Sequence, residues 1–246
     1  MLSMKKILAG ILVAGSILIC SSCGMNVLRG EGKKTTLSPA VNTFDAVDVT
    51  ISSKIKITVA EGSAQLIELS GYENILKHIK TEVKKNTLYI TFDLDDTWTV
   101  NEDDMEIRIS VPALRSLSMS GAPDAEIHGN IKGSEFRLDV SGASEVTIDN
   151  INVDKLVADL SGASELVIKG GVVKDANYDI SGAGKIEAFP LQTIETSASI
   201  SGAAKSEVSV SGKLEASISG AGSVKYKGKP EVIEHISGVG SVEEEK

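Results

Sequence analysis

From Phe44 onward, apolar and polar residues alternate in short runs. Val47, Val49 and Ile51 alternate with Asp48 and Thr50, and Ile55, Ile57 and Val59 alternate with Lys56 and Thr58. A period of two is that of half-buried strands. Glu61-Gly62-Ser63 predicts a turn and Leu66 to Leu69 a short strand. Tyr72 to Ile79 fits a helical turn or a loop, and Val83 to Phe92 a hairpin with Lys85-Asn86 at its tip. Met105 to Val111 alternates again and stops at Pro112, which has no N–H to give to a sheet.

Beyond Leu117 the alternation becomes a repeat. Ser-Gly-Ala stands at Ser120, Ser141, Ser161, Ser181, Ser201 and Ser219, and Ser-Gly-Val at Ser237, with steps of 21, 20, 20, 20, 18 and 18 residues. A fixed period near 20 residues predicts a solenoid, because one coil cannot bury its own apolar face and must stack on the next. With the copies aligned on the serine, the preceding residue is Met119, Val140, Leu160, Ile180, Ile200, Ile218 and Ile236, an apolar column expected in the core. The residue before that is Ser118, Asp139, Asp159, Asp179, Ser199, Ser217 and His235, a polar column expected outside. A second core column is Ala125, Val146, Leu166, Ile186, Ser206, Val224 and Val242.

The tripeptide has a physical reading. Each coil must bend sharply at one place, and glycine tolerates the positive φ such a corner requires. A small residue after it (Ala122, Ala143, Ala163, Ala183, Ala203, Ala221, Val239) is expected to let corners stack at strand spacing. The serine hydroxyl can bond a neighbouring backbone group at the bend.

The N-terminus adds a second kind of signal. Lys5 and Lys6 precede the apolar run Ile7 to Ile19, which is shorter than the roughly 20 residues needed to span a bilayer. The run ends in Cys20-Ser21-Ser22-Cys23-Gly24, with small Ser22 before Cys23. This resembles a bacterial lipoprotein signal, which implies a leader over 1–22 and lipid attachment at Cys23. Residues 23–42, polar with Gly30, Gly32, Lys33, Lys34 and Pro39, are expected as the lipidated cysteine and a flexible tether. Residues 43–246 then form the folded domain: 43–115 the irregular β part and 116–246 the repeat coils.

Cys20 lies in the leader and Cys23 is the acylated residue, so no disulfide is expected in the domain, which at over 200 residues can bury a core without one. Loss of Lys5 and Lys6 takes the formal charge from −9 to −11. Such an acidic chain argues against nucleic acid and against electrostatic docking to anionic lipid.

Three groups carry candidate chemistry. Asp139, Asp159 and Asp179 should stack about 5 Å apart, where like charges raise carboxylate pKa values or recruit a cation. They are the candidate ligand or cation site, against a purely solubilising face. Asp124, Glu145, Glu165, Lys185 and Lys205 form a second ladder that changes sign between Glu165 and Lys185. Asp93-Leu94-Asp95-Asp96-Thr97-Trp98, with Glu102, Asp103 and Asp104, carries the only tryptophan. It reads as a solvated loop whose charges discourage edge pairing, with a calcium or sugar loop as the alternative. His78, His128 and His235 have no metal-ligand spacing, and no nucleophile elbow, phosphate loop or zinc-protease motif occurs, so no catalytic residues, metal or cofactor are expected.

Phe44-Asp45-Ala46-Val47-Asp48-Val49, Ile55-Lys56-Ile57-Thr58-Val59, Thr87-Leu88-Tyr89-Ile90, and Val111-Pro112-Ala113-Leu114 leading into Ser-Gly-Ala together resemble the head GIN domain family, also called auto-transporter adhesins. The family is common in lipoproteins of Bacteroidetes-type bacteria. The resemblance covers about Phe44 to Lys229. It implies an all-β fold in which irregular β structure leads into a right-handed parallel β-helix, and it brings no catalytic residues. The expected role is a lipid-anchored cell-envelope protein whose solenoid binds or scaffolds, with a polysaccharide or protein as partner. The alternatives are a carbohydrate-active enzyme of polysaccharide-lyase type and a purely structural spacer. The residues after Cys23 lack an acidic run resembling a surface-export tag, which favours the periplasmic side of the outer membrane over the cell surface. Both ends of a solenoid carry open strand edges, so homo-oligomers are a further expectation, and the tail Glu243-Glu244-Glu245-Lys246 is placed to protect one edge.

Overall fold

The computed structural model describes residues 26–94, 98–101 and 104–246. The fold is all-β, with 72% strand and 2% helix, and its stacked coils form a β-solenoid of about six turns. The alternation read from the sequence sets the coil wall. In the turn from Glu145 to Gly162, the side chains of Val146, Ile148, Ile151, Val153, Leu156, Ala158 and Leu160 are all buried. Successive turns pair in parallel and in register, so like positions stack in columns. Ser141 lies against Ser161 and Gly142 against Gly162, and the next turn repeats this with Ser181 and Gly182.

The corner is built as the tripeptide requires, for two reasons rather than one. Gly142, Gly162, Gly182, Gly202 and Gly220 have φ of 109, 88, 121, 124 and 125°. Each also lies against the carbonyl of the glycine one turn earlier: a Cβ on Gly162 would sit 2.3 Å from the oxygen of Gly142. That approach lets the ladder run through the bend, since Ala163, Ala183, Ala203 and Ala221 donate their N–H groups to the preceding glycine carbonyls at 2.8 Å. Two corner serines reach the preceding turn, Ser141 Oγ to the Met119 carbonyl at 3.4 Å and Ser161 Oγ to the Val140 carbonyl at 3.5 Å.

The alanine after the glycine has a different place from the one expected. Ala122, Ala143, Ala163, Ala183, Ala203 and Ala221 are all exposed, and Val239 at the same position is 85% exposed. The confined position is one residue later: Pro123, Ser144, Ser164, Gly184, Ala204 and Gly222 point inward and are buried. A Cβ on Gly184 would lie 2.6 Å from Ile180 Cγ2. Alternation is broken by the corner, which rotates the chain between these two residues.

Where the period falls from 20 to 18 residues, the wall loses register. Ala188 pairs with Val208, but Gln192 already pairs with Ser209 and Glu195 with Lys213. Buried hydroxyls serve the backbone there. Thr193 Oγ1 donates to the Ser209 carbonyl at 2.9 Å and contacts Thr196 Oγ1 at 2.7 Å, and Ser209 Oγ donates to the Phe189 carbonyl at 2.7 Å.

The N-terminal end is built of antiparallel structure. Lys34–Leu37 pairs with Leu66–Tyr72, which pairs with Glu106–Val111, and Ile79–Lys84 forms the expected hairpin with Thr87–Phe92. Lys85 and Asn86 at its tip have positive φ, as a two-residue hairpin turn demands. The helical turn is Glu73–Leu76. The flexible tether expected over 23–42 is corrected for its described part. Asn26–Leu28 pairs with Trp98–Val100, and Lys34–Leu37 is an edge strand. Asn74 holds the segment between them, donating from Nδ2 to the Arg29 carbonyl at 2.7 Å and accepting the Glu31 N–H at 3.0 Å. A lysine and two threonines suit a solvated edge strand as well as they suit a linker.

Candidate functional site

The aspartate column forms as the repeat predicts. Asp139 lies beside Asp159 and Asp159 beside Asp179, on adjacent strands of one outer face. Ser118 precedes them, and Ser199 and Ser217 follow. Asp48 extends the column at the N-terminal side, paired with Ser118. The aspartates and Ser118, Ser141, Ser161 and Ser181 line a shallow groove of about 380 Å³ along the solenoid axis.

The structure adds a cation of its own. Arg137 lies two residues before Asp139 and so points to the same side of the strand. Its Nε donates to Asp139 at 3.2 Å and its Nη2 to Asp159 at 2.5 Å. The guanidinium is held above its ordinary pKa, first by its hydrogen bond to Asp139. Among the described residues no group of three or more His, Cys, Asp or Glu side chains is placed to hold a metal ion. Arg137 was legible in the sequence through the same alternation that placed the aspartates; its reach across to the next turn was not.

Arg137 does not neutralise the column. Asp159 is held above the ordinary carboxylate value of 3.8, first by burial and then by Asp139; Arg137 pulls the other way, and Asp139 and Asp179 add like charge. Asp48 is raised too, by burial and then by the charge of Asp139. A carboxyl whose folded pKa is raised stabilises the fold below its ordinary pKa, and that contribution is lost as pH rises through the folded value. Titration of the Asp159 carboxyl by NMR is therefore expected to show a midpoint above 3.8. Arg137→Ala should move it higher still; a midpoint at or below the ordinary value would mean that the arginine outweighs burial and like charge.

The second ladder also stands in register, from Asp124 through Glu145 and Glu165 to Lys185 and Lys205. Lys185 bonds Glu187 and, at 3.1 Å, Glu165; the first of these bonds and then the second hold its ammonium above its ordinary pKa. These groups are solvated, and exposed pairs contribute at most about 1 kcal/mol each. Trp98 is 41% exposed on its short strand, while Asp95, Asp96, Thr97, Glu102 and Asp103 of the acidic loop lie outside the described residues. Cys23 lies outside them as well.

The family model described as "Putative auto-transporter adhesin, head GIN domain" matches residues 43–230. The chain belongs to the head GIN domain family. Solved structures agree on the fold. An adhesin-named protein of Bacteroides fragilis is 25% identical, with a TM-score of 0.82 over 89% of this chain and 100% of its own. Another from Parabacteroides merdae is 22% identical, with a TM-score of 0.71 over 90% of this chain and 100% of its own. A Parabacteroides distasonis protein named for lipid binding is 21% identical, with a TM-score of 0.73 over 90% and 100% of the two chains. No curated protein matches the chain significantly. The head GIN match includes the antiparallel strands between Leu66 and Val111 and most of the coils.

Proposed function

We propose that this head GIN domain protein is a lipid-anchored adhesin of the cell envelope. Its ligand is an extended, hydroxyl-rich polymer, a polysaccharide, lying along the aspartate face, and its orientation is towards the periplasm. The observation that carries the reading is the groove from Ser118 to Ser181, in which carboxylates and hydroxyls recur at each turn. Parallel strands repeat at about 4.8 Å, so a chain of sugar rings running along the axis meets the same acceptors and donors at every rung. Carboxylates accept from sugar hydroxyls and Arg137 donates to ring or acidic oxygens. The groove is shallow and its carboxylates stand on one regular face, which suits binding better than the paired, cleft-held carboxylates of glycoside hydrolysis. Attachment through Cys23 is the anchor in this reading.

The test is binding of the full chain to an immobilised glycan array, with Asp159→Ala as the comparison. Binding to one glycan class that falls at least tenfold in the variant supports the proposal. Binding that Asp159→Ala leaves intact moves the site off this face, and silence across the array moves the ligand to protein.

A further inference from the structure

The last rung of the solenoid departs from the column rule at two places. Glu234, in the strand Glu231–Gly238, pairs with Ala216. That column reads Leu88, Val47, Leu117, Leu138, Ala158, Tyr178, Ala198 and Ala216 in the earlier rungs, each of them buried. Glu244, in the strand Ser241–Glu244, pairs with Tyr226, which follows Val208 and Ala188. Both carboxylates therefore occupy inward positions, one on each of two walls. Both are exposed, and among the described residues no strand pairs with the outer side of this rung. Neither makes an ion pair or hydrogen bond through its side chain among the described residues. Around them the rung is apolar: Ile236, expected in the core, is 41% exposed, and Val232 and Val242 are only partly covered.

An exposed parallel edge with apolar neighbours is a template for another strand. We infer that Glu234 and Glu244 are stops that keep this end from stacking on a second copy of the chain. A copy joined by a twofold axis would lay its strand 231–238 antiparallel against this one. To continue the core, inward residues must face inward residues, so Glu234 meets Val232, Glu234 or Ile236 of the copy. In each of these registers the carboxylate is sealed between rungs with no cation to pair with, and burying an unpaired charge is strongly unfavourable. A one-residue slip frees the carboxylate only by turning Val232 and Ile236 outward. The opposite end presents antiparallel edge strands, Lys34–Leu37 and Ile79–Lys84, rather than the parallel columns of this rung. In this reading the tail protects the edge through inward Glu244 rather than through its charge as a whole.

The full chain in mild detergent, followed by size exclusion with light scattering, tests this. The wild-type chain is expected at the mass of one protomer over a range of concentrations. The double variant Glu234→Val, Glu244→Val is expected to shift to twice that mass or more, with its strand signal in circular dichroism retained. A double variant that stays at one protomer with an unchanged spectrum overturns the inference. So does a wild-type chain that associates and is dispersed by Ile236→Lys. If the double variant loses its strand signal, Glu234→Ala, Glu244→Ala decides instead: both columns carry alanine in earlier rungs, at Ala216 and Ala188, and its association supports the stops while its failure to associate overturns them.

Discussion

Gly162→Val is expected to lower stability by about 4 kcal/mol, more than most single substitutions do. Two costs combine. A β-branched residue held at the φ of 88° found here is strained by about 1–3 kcal/mol. Its Cβ would also stand 2.3 Å from the Gly142 carbonyl oxygen, an atom of the backbone that no rotamer change can move aside. The rungs must part at the corner, which breaks the 2.8 Å bond from Ala163 to Gly142 and strains the one from Ala183 to Gly162. For a domain of this size the melting temperature should fall by about 10 °C. Ala163→Val is the comparison that isolates the cause. It is also a small-to-large change in the same tripeptide, but the position is exposed and the seventh copy already carries Val239 there. It should leave the melting temperature nearly unchanged. Equal effects of the two substitutions, or none from the first, would sink the corner account.

Phe136→Ala should cost about 4 kcal/mol, within the usual range for a buried aromatic truncated in a core. Phe136 is fully buried and stacks on Leu156, followed by Ala176 and Thr196 in the same column. The smaller residues beyond Leu156 cannot swing across to fill the space, because each is fixed at its rung by a continuous backbone ladder. The cavity therefore stays, and lost contacts add to lost burial. In a stacked-coil architecture the damage should be local. Hydrogen exchange should quicken in the turns containing Phe136 and Leu156 and much less near Val224. Urea unfolding measures the magnitude; a loss below about 1 kcal/mol would show that the rungs can close on the void.

Some of this was written in the chain in a form that needs no partner. The corner glycines, the inward and outward columns and the hairpin at Lys85-Asn86 follow from local geometry: alternation puts residues on faces, and positive φ selects glycine or asparagine. Repetition then turns each local fact into a column, so the stacking of Asp139, Asp159 and Asp179 could be read from spacing alone. The head GIN resemblance rested on the same segments, and the family match and the solved folds agree with it.

Other features depend on which strand lies next to which, and spacing does not carry that. Asp48 joins the aspartate column only because Ser118 bridges two strands far apart in the chain. Arg137 reaches Asp159 on the following turn, a contact set by rung spacing and side-chain length. The polar stretch 26–37 looked like linker because an edge strand and a linker both face water on most sides; only the unpaired side of Leu66–Tyr72 decided between them. Glu234 stands in the third place before its Ser-Gly-Val, where every other copy has Leu, Ala or Tyr, so its oddity was visible. What the sequence alone could not say is that, among the described residues, no strand covers it. Exposure of an inward position belongs to the end of a stack, and an end exists only once the rungs have been assembled in space.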